Sequence, residues 1–198
     1  MTETVIDLLR HGTPVGGRLY RGQKDDPLSD KGWEQMWYAV SGETPWTRIT
    51  SSPLLRCCEF ATQLAEKLNL PLTIDERFAE LGYGVWEGKS GSELKENDPD
   101  ILKRFFYDPH NHTPEGAEPI GAFMERVSTA YDDVVTQHGG ERILIVGHAC
   151  VIRAVLAKTL VAPAEAIFRI NVETASLTRI RENDERPPTL LFHNRDKL

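Results

Sequence analysis

The sequence predicts an α/β fold built on a mostly parallel sheet. Two short aliphatic runs, residues 5–9 and 143–146, have the length and composition of buried strands. Stretches with apolar residues at helical spacing lie between and after these runs. Strands that alternate with helices along a chain are typical of α/β layer structures with a parallel sheet.

Caps and apolar stripes predict the remaining elements. In the first half these are a helix through Trp33 and Trp37 capped by Ser29 or Asp30, a strand at 48–51, and a helix that starts at Ser51-Ser52-Pro53 and buries Phe60, Ala61, Leu64, Ala65 and Leu68. In the second half, two helices are predicted. One has Phe123, Val127, Tyr131, Val134 and His138 on one face, and the other has Val151, Ile152, Val155, Leu156 and Leu160 on one face. Strand-like runs follow at 176–181 and 189–193. Pro187 and Pro188 between those two runs suit a turn or a sheet edge.

The periodicity fails between residues 70 and 121, where only 101–106 suggests a short helix. A long irregular stretch inside a compact domain usually has a functional role. We therefore expect one domain over residues 1–198, with an insertion at about 75–120 that forms a lid or a substrate wall.

Composition and charge exclude several classes of protein. The 198 residues include 23 Lys and Arg against 30 Asp and Glu, a net charge of −7, which disfavours a nucleic-acid binder. The cysteines are Cys57, Cys58 and Cys150, an odd number with two adjacent, so reduced thiols and a cytoplasmic setting are expected. No signal peptide is evident, and no apolar run approaches the roughly 20 residues of a membrane span.

Two histidines directly follow predicted strands. His11 comes after residues 5–9 and Arg10, and His148 comes after residues 143–146 and a glycine. Ligands of open α/β sheets bind beyond the carboxyl ends of the strands, so the two imidazoles would meet there if their strands are parallel neighbours. Arg56, in the first turn of the helix after strand 48–51, can point to the same place.

Two arginines and two histidines at one sheet edge are suited to a tetrahedral oxyanion. A guanidinium presents a planar fork of donors that matches phosphate oxygens, and Gly12 permits a close backbone approach. A neutral imidazole can attack phosphorus while the cations stabilise the transition state. Departure of an alkoxide needs a general acid, and Glu80, beside aromatic residues that could desolvate it, is the candidate.

Four motifs in order resemble the histidine phosphatase superfamily, which includes the cofactor-dependent phosphoglycerate mutases. They are Arg10-His11-Gly12, Ser52-Pro53-Leu54-Leu55-Arg56, the segment 80–88, and Gly147-His148 followed by Val151-Ile152-Arg153. The resemblance implies a three-layer α/β/α fold and a phosphomonoesterase that needs neither a metal nor an organic cofactor.

The same resemblance implies a role for each site residue. His11 is expected to be the phosphorylated nucleophile, and Arg10, Arg56 and His148 complete the phosphate pocket. Glu80 is expected to be the proton donor and then the base for the hydrolytic water.

Residues 20–32 look like the branch that contains α-ribazole-5′-phosphate phosphatases. In that branch this segment lines the substrate side, which makes Gln23 a candidate for substrate binding. The expected partner is a small phosphorylated metabolite rather than a nucleic acid or a membrane, and the expected assembly is a monomer or a homodimer.

Alternative functions remain open on sequence alone. A phosphoglycerate mutase would use the same pocket but tends to be longer, with a closing segment for which 198 residues leave little room. A non-catalytic module that binds phosphorylated ligands would have lost the nucleophile or the acid. His110 and His112 form an H-x-H sequence, but no third ligand has metal-site spacing, so a loop is expected there.

Overall fold

The computed structural model describes residues 3–198, which alternate strands and helices around one sheet. The strands are β1 (Glu3–Arg10), β2 (Arg48–Ser51), β3 (Leu72–Ile74), β4 (Arg142–Gly147), β5 (Leu177–Asn183) and β6 (Arg186–Arg195). The α-helices are α1 (Asp30–Ala39), α2 (Leu55–Leu68), α3 (Gly91–Glu96), α4 (Ile101–Tyr107), α5 (Ile120–Gln137) and α6 (Ala149–Thr159). Short 3₁₀ helices lie at Glu76–Phe78, Gly84–Trp86 and Ala164–Arg169.

The sheet is mostly parallel, as the sequence predicts. Its strand order is β3-β2-β4-β1-β5-β6, in which the pairs β3/β2, β2/β4 and β4/β1 are parallel. The pairs β1/β5 and β5/β6 are antiparallel. Strands β1 and β4 are therefore neighbours at the centre of the sheet, and both end at the same edge.

Helices cover both faces of the sheet, which gives the three-layer architecture. Ile143 and Ile145 of β4 pack toward the cluster of α5 and α6, whereas Leu144 and Val146 pack toward the cluster of α1 and α2. This alternation is what the pleat of a strand buried on both faces dictates. Across residues 3–198, no helix combines the length and the apolar character that crossing a bilayer requires.

A buried ion pair joins β1 to its antiparallel neighbour β5. Asp7 of β1 is 1% exposed and lies directly opposite Arg179 of β5. The guanidinium donates to both carboxylate oxygens, at 2.8 and 2.9 Å, and the Trp46 indole Nε1 donates to the same carboxylate at 2.8 Å. The charge of Asp7 is thus compensated inside the core, where an unpaired carboxylate would be costly.

Two expectations about the elements need correction. Helix α2 begins at Leu55 with Leu54 as its N-cap, rather than at Ser51-Ser52-Pro53. The hydroxyl of Ser52 instead bonds His148, at 2.6 Å, and accepts from the backbone N–H of Leu54 before the helix begins. Pro187 and Pro188 lie inside β6 at the edge of the sheet, which is one of the two places expected for them, and the turn falls before Arg186.

Residues 70–121 are also less irregular than expected. They contain β3, α3 and two 3₁₀ helices besides the predicted helix at 101–106, which is observed as α4. Helix α3 starts with a capping box in which Ser90 and Glu93 bond each other's backbone N–H. The aromatic rings of Tyr83, Trp86 and Phe105 pack edge to face in this segment and join it to the core.

Candidate active site

The structure brings His11 and His148 together at the carboxyl edge of the sheet. The backbone N–H of His11 donates to the carbonyl of Gly147 at 3.0 Å, which continues the β1/β4 pairing beyond the strands. The two imidazole rings lie 5.2 Å apart in an edge-to-face arrangement. Parallel pairing of the central strands therefore places both side chains in one site.

The ring of His11 is held in a defined tautomer. Its Nδ1 lies 2.7 Å from the carbonyl oxygen of Gly12, which can only accept, so Nδ1 carries the proton and donates. The lone pair is then on Nε2. His11 is 7% exposed and lines a cavity of about 590 Å³. Its Nε2 is therefore suited to nucleophilic attack on a ligand bound in that cavity.

His148 is fully buried and, unlike His11, does not line that cavity. Its Nε2 is 2.6 Å from the hydroxyl of Ser52, and both ring nitrogens lie within 3.8 Å of the thiol of Cys57. Its backbone forms the N-cap position of α6. Ser52 thus contacts a candidate site residue, which sequence reasoning missed although Ser52 belongs to the motif at 52–56.

Burial and neighbouring cations keep both imidazoles neutral. Burial is the largest cause that lowers the pKa of His11 well below 6.5, followed by the charges of Arg56 and Arg10. The pKa of His148 is lowered well below 6.5 by burial first, then by Arg56. Neutral rings are the form that a nucleophile and a hydrogen-bonding neighbour require at physiological pH.

Arg10 and Arg56 are fixed by backbone carbonyls and keep free donors. Arg10 Nη1 donates to the carbonyl of Val172 at 2.6 Å, whereas Arg56, 1% exposed, donates to the carbonyls of Gly22 and Lys24 at 2.8 Å. Within the described chain only three buried side-chain nitrogens or oxygens have no hydrogen-bond partner, and they are Nε of Arg10, Arg56 and Arg181. Two of these three belong to residues that line one cavity, which indicates a site for an anion.

Glu80 lines the same cavity. Its carboxylate accepts hydrogen bonds from the backbone N–H groups of Leu81 at 2.9 Å and Cys150 at 3.3 Å. The second of these ties the carboxylate to the first turn of α6. Glu80 and His11 both line the cavity, so a carboxyl group and an imidazole face one ligand site.

The cavity has a volume of about 590 Å³, which leaves room beyond a phosphate for an organic group. Several lining residues were not predicted as site residues. They are Thr13, Pro14, Gly17, Arg18, Leu19, Tyr20, Arg21, Gly22, Tyr83, Ala149, Cys150, Arg153, Glu173 and Thr174. Five of them belong to the motif segments, and that membership was the signal by which they could have been found: Tyr20, Arg21, Gly22, Tyr83 and Arg153.

Gln23 does not line this cavity. Its side chain is exposed and donates to the backbone carbonyl of Glu80 at 3.3 Å, and its backbone N–H donates to the Glu87 carboxylate at 3.0 Å. The same oxygen of Glu87 accepts from the N–H of Tyr83. Gln23 thus joins the segment at 20–26 to the Glu80 segment, and a direct substrate contact remains a prediction.

The structure assigns other partners to the remaining histidines and cysteines considered from sequence. His110 pairs with Glu165 at 3.2 Å, and His112 Nδ1 donates to the carbonyl of Asp108 at 3.1 Å. Residues 3–198 contain no group of three metal-ligating side chains placed to bind one ion. Burial raises the pKa of the Cys150 thiol to about 12, which makes it a poor nucleophile.

A family model described as "Histidine phosphatase superfamily (branch 1)" matches residues 6–195. Among curated relatives, a bifunctional protein of Mycobacterium tuberculosis is 31% identical over 89% of this chain. The chain spans about half the length of that relative, 50%.

Two other relatives are matched over most of both chains. Phosphoserine phosphatase 1 of Hydrogenobacter thermophilus is 27% identical over 90% of this chain and 87% of its own. The adenosylcobalamin/alpha-ribazole phosphatase of Salmonella typhimurium is 28% identical over 84% of each chain. The solved structure of Bacillus stearothermophilus YhfR is 27% identical, with a TM-score of 0.87 over 97% of each chain.

Proposed function

This chain belongs to branch 1 of the histidine phosphatase superfamily, and from that premise we propose that it is a phosphomonoesterase acting on a small phosphorylated metabolite. One observation carries the proposal: a neutral imidazole with a lone pair on Nε2 shares a cavity with two arginines that keep unpartnered donors. Phosphate geometry and charge match this set of groups.

The first step would transfer the phosphoryl group to the protein. The lone pair of His11 Nε2 attacks phosphorus, and the bond from phosphorus to the ester oxygen breaks. Glu80 in its protonated form gives its proton to the departing alkoxide. Arg10 and Arg56, with the buried His148 behind them, stabilise the charge on the equatorial oxygens.

The second step would release inorganic phosphate. Glu80, now a carboxylate, takes a proton from a water molecule that attacks the phosphorus of phosphohistidine. The bond between nitrogen and phosphorus breaks and returns the electron pair to Nε2. The chain supplies every group in this scheme, so we propose a metal-independent reaction, and the reduced cysteines support a cytoplasmic enzyme.

The substrate proposal rests on the relatives. We propose α-ribazole-5′-phosphate as the first substrate to test, supported by the Salmonella relative and by residues 20–32. Phosphoserine is the second, supported by the Hydrogenobacter relative. Both are phosphomonoesters small enough for a cavity of about 590 Å³.

Turnover and phosphoenzyme trapping test the proposal together. His11→Ala should abolish phosphate release from an aryl phosphate in the presence of a chelator, and it should abolish acid-labile phosphate on the protein. His110→Ala is the matched control, because this exposed histidine lies outside the cavity. Turnover retained in His11→Ala would refute the phosphohistidine mechanism.

Two other outcomes would point to a different function. Return of the phosphoryl group to a second phosphoglycerate, faster than to water, would indicate a mutase. Stoichiometric binding of a phosphoester without any phosphate release would indicate a binding module.

A further inference from the structure

Glu80 lies in a segment that forms neither a helix nor a strand. Residues 79–83 connect the 3₁₀ helix at Glu76–Phe78 to the one at Gly84–Trp86. A general acid must be held within a few tenths of an ångström of its productive position. The bonds that fix this segment are therefore relevant to catalysis.

Arg126 of α5 holds the backbone just before Glu80. Its Nη1 donates to the carbonyl of Arg77 at 2.7 Å and to the carbonyl of Ala79 at 3.0 Å. Its guanidinium also stacks over the ring of Phe123, with 5.1 Å between the guanidinium carbon and the ring centroid. Arg126 does not line the cavity, so it acts on any ligand only through its neighbours.

Glu118 holds the backbone just after Glu80. Its N–H donates to the carbonyl of Gly82 at 3.0 Å, and its carboxylate accepts from the N–H of Gly82 at 3.4 Å. The same carboxylate accepts two hydrogen bonds from Arg126, from Nε at 2.9 Å and from Nη2 at 2.7 Å. Arg126 and Glu118 therefore bond the backbone on both sides of Glu80. Both side chains are about one-fifth exposed.

We propose that Arg126, anchored by Glu118, is a positioning residue that aligns Glu80 for proton transfer to the leaving group. The inference rests on the proposed function, in which Glu80 is the general acid. The planar fork of arginine makes four hydrogen bonds in this arrangement, and the ammonium group of lysine cannot reproduce their directions. Arg126→Lys keeps the positive charge and removes the hydrogen-bond geometry. Its effect therefore reports lost alignment of Glu80 rather than a change in electrostatics.

A misaligned acid has a signature that general structural damage does not have. A nitrophenolate leaves readily without a proton, whereas an alkoxide depends on the acid. The value of kcat/KM reports the phosphoryl transfer to His11 and excludes the later hydrolysis. Loss of alignment should therefore lower kcat/KM for an alkyl phosphate far more than for an aryl phosphate.

The experiment compares 4-nitrophenyl phosphate with glycerol phosphate for the unmodified chain and four variants. For Arg126→Lys we expect the aryl-to-alkyl ratio of kcat/KM to rise about tenfold, and for Glu80→Gln to rise further. Asp132→Asn is the matched control on α5, because it removes only a surface ion pair with Lys158 and should leave the ratio unchanged. Circular dichroism at the assay temperature verifies that each variant is folded.

The double variant Arg126→Lys/Glu80→Gln is the decisive protein. If Arg126 acts through Glu80, the aryl-to-alkyl ratio of kcat/KM in the double variant equals the ratio in Glu80→Gln alone. An additional change in the double variant, or an equal loss on both substrates in Arg126→Lys, would overturn the positioning role. A Glu80→Gln variant with an unchanged ratio would instead refute Glu80 as the acid, which is a failure of the proposed function.

Discussion

His148 is an imidazole that the fold buries completely in its neutral form. Burial, and then the charges of Arg56, His11 and Arg10, lower its pKa well below 6.5. In the unfolded chain the same ring titrates at about 6.5. Between these two pKa values the unfolded state binds more protons, so acid favours unfolding.

The sign of this linkage gives a prediction for stability. The free energy of unfolding should be flat above about pH 7 and should fall as the pH drops below about 6.5, by up to about 1.4 kcal/mol per pH unit for each buried histidine. His11, whose pKa is lowered in the same way, contributes with the same sign. Urea unfolding at pH 7.5, 6.5 and 5.5 measures the slope.

His148→Asn separates this contribution from those of the other titrating groups. The variant should be less stable at pH 7.5 because it loses a packed ring, and its stability should depend less steeply on pH. A slope equal to that of the unmodified chain would show that folding does not lower the pKa of His148.

The sequence predicted the placement of some residues of the candidate site and could not predict that of others. His11, His148 and Arg10 were predictable because parallel strands bring their ends to one edge. Ser52 was not, because its partner His148 lies 96 positions away in the chain. Arg126 was also missed, since its contact with Ala79 arises only when α5 packs beside the Glu80 segment.

At the scale of elements, the segment directly after β1 meets α1 through two glycines. A Cβ on Gly12 would lie 2.2 Å from the carbonyl oxygen of Gly32, and a Cβ on Gly32 would lie 2.2 Å from that of Thr13. The side chain of Ser29 caps α1 and also donates to the Thr13 carbonyl at 2.8 Å. The close approach that Gly12 permits is therefore to helix α1, directly after the nucleophile.

This contact predicts a large effect from one methyl group. Gly12→Ala should lower the free energy of unfolding by about 1–3 kcal/mol, because the backbone of α1 or of the His11 segment must move. It should also lower kcat, since His11 moves with that segment. Urea unfolding and turnover of an aryl phosphate measure the two effects.

Gly121→Ala is the matched control for the added methyl group. This glycine lies in α5, and a Cβ built there meets nothing within 4 Å. The substitution should stabilise the protein by about 0.5–1 kcal/mol through helix propensity, with turnover unchanged. If Gly12→Ala behaved like Gly121→Ala, the close approach of the segment after β1 to α1 would not be a constraint.

Elements were not predicted correctly where the strand was too short to show a pattern, or where a residue that resembles a helix cap bonds another partner. Strand β3 has three residues, two of them exposed, so no alternating or buried pattern marks it. The start of α2 was placed too early because Ser52 resembles a cap, whereas its hydroxyl bonds His148. The long helices and central strands were predictable because burial on both sides of the sheet imposes their periodicity.

At the scale of the whole molecule, surface charge and site charge have opposite signs. The net charge is −7, yet five arginines line the cavity: Arg10, Arg18, Arg21, Arg56 and Arg153. Asp26 neutralises Arg21, while Arg10 and Arg56 are held by carbonyls that carry no net charge. Composition therefore describes the exterior, and the potential that an anionic ligand meets is set locally.

The two apolar clusters share one sheet, which makes them interdependent. Alternate residues of β4 belong to opposite clusters. The ion pair of Asp7 and Arg179 links β1 to β5 within the same sheet. Neither cluster can form while the sheet is absent. We therefore predict that residues 1–198 unfold as one cooperative domain, including the segment at about 75–120.

The tryptophans report on the two faces separately. Trp86 is buried in the cluster of α5 and α6, whereas Trp33, Trp37 and Trp46 pack in the cluster of α1 and α2. The fluorescence difference between the unmodified chain and Trp86→Phe isolates the first face, and Trp37→Phe is the matched control on the second. Each variant's urea midpoint is referenced to its own circular dichroism.

Coincident transitions are expected, because the shared strands β1, β4 and β5 must be lost for either face to open. A Trp86 signal that changes at lower urea would instead show that the segment carrying Glu80 unfolds by itself.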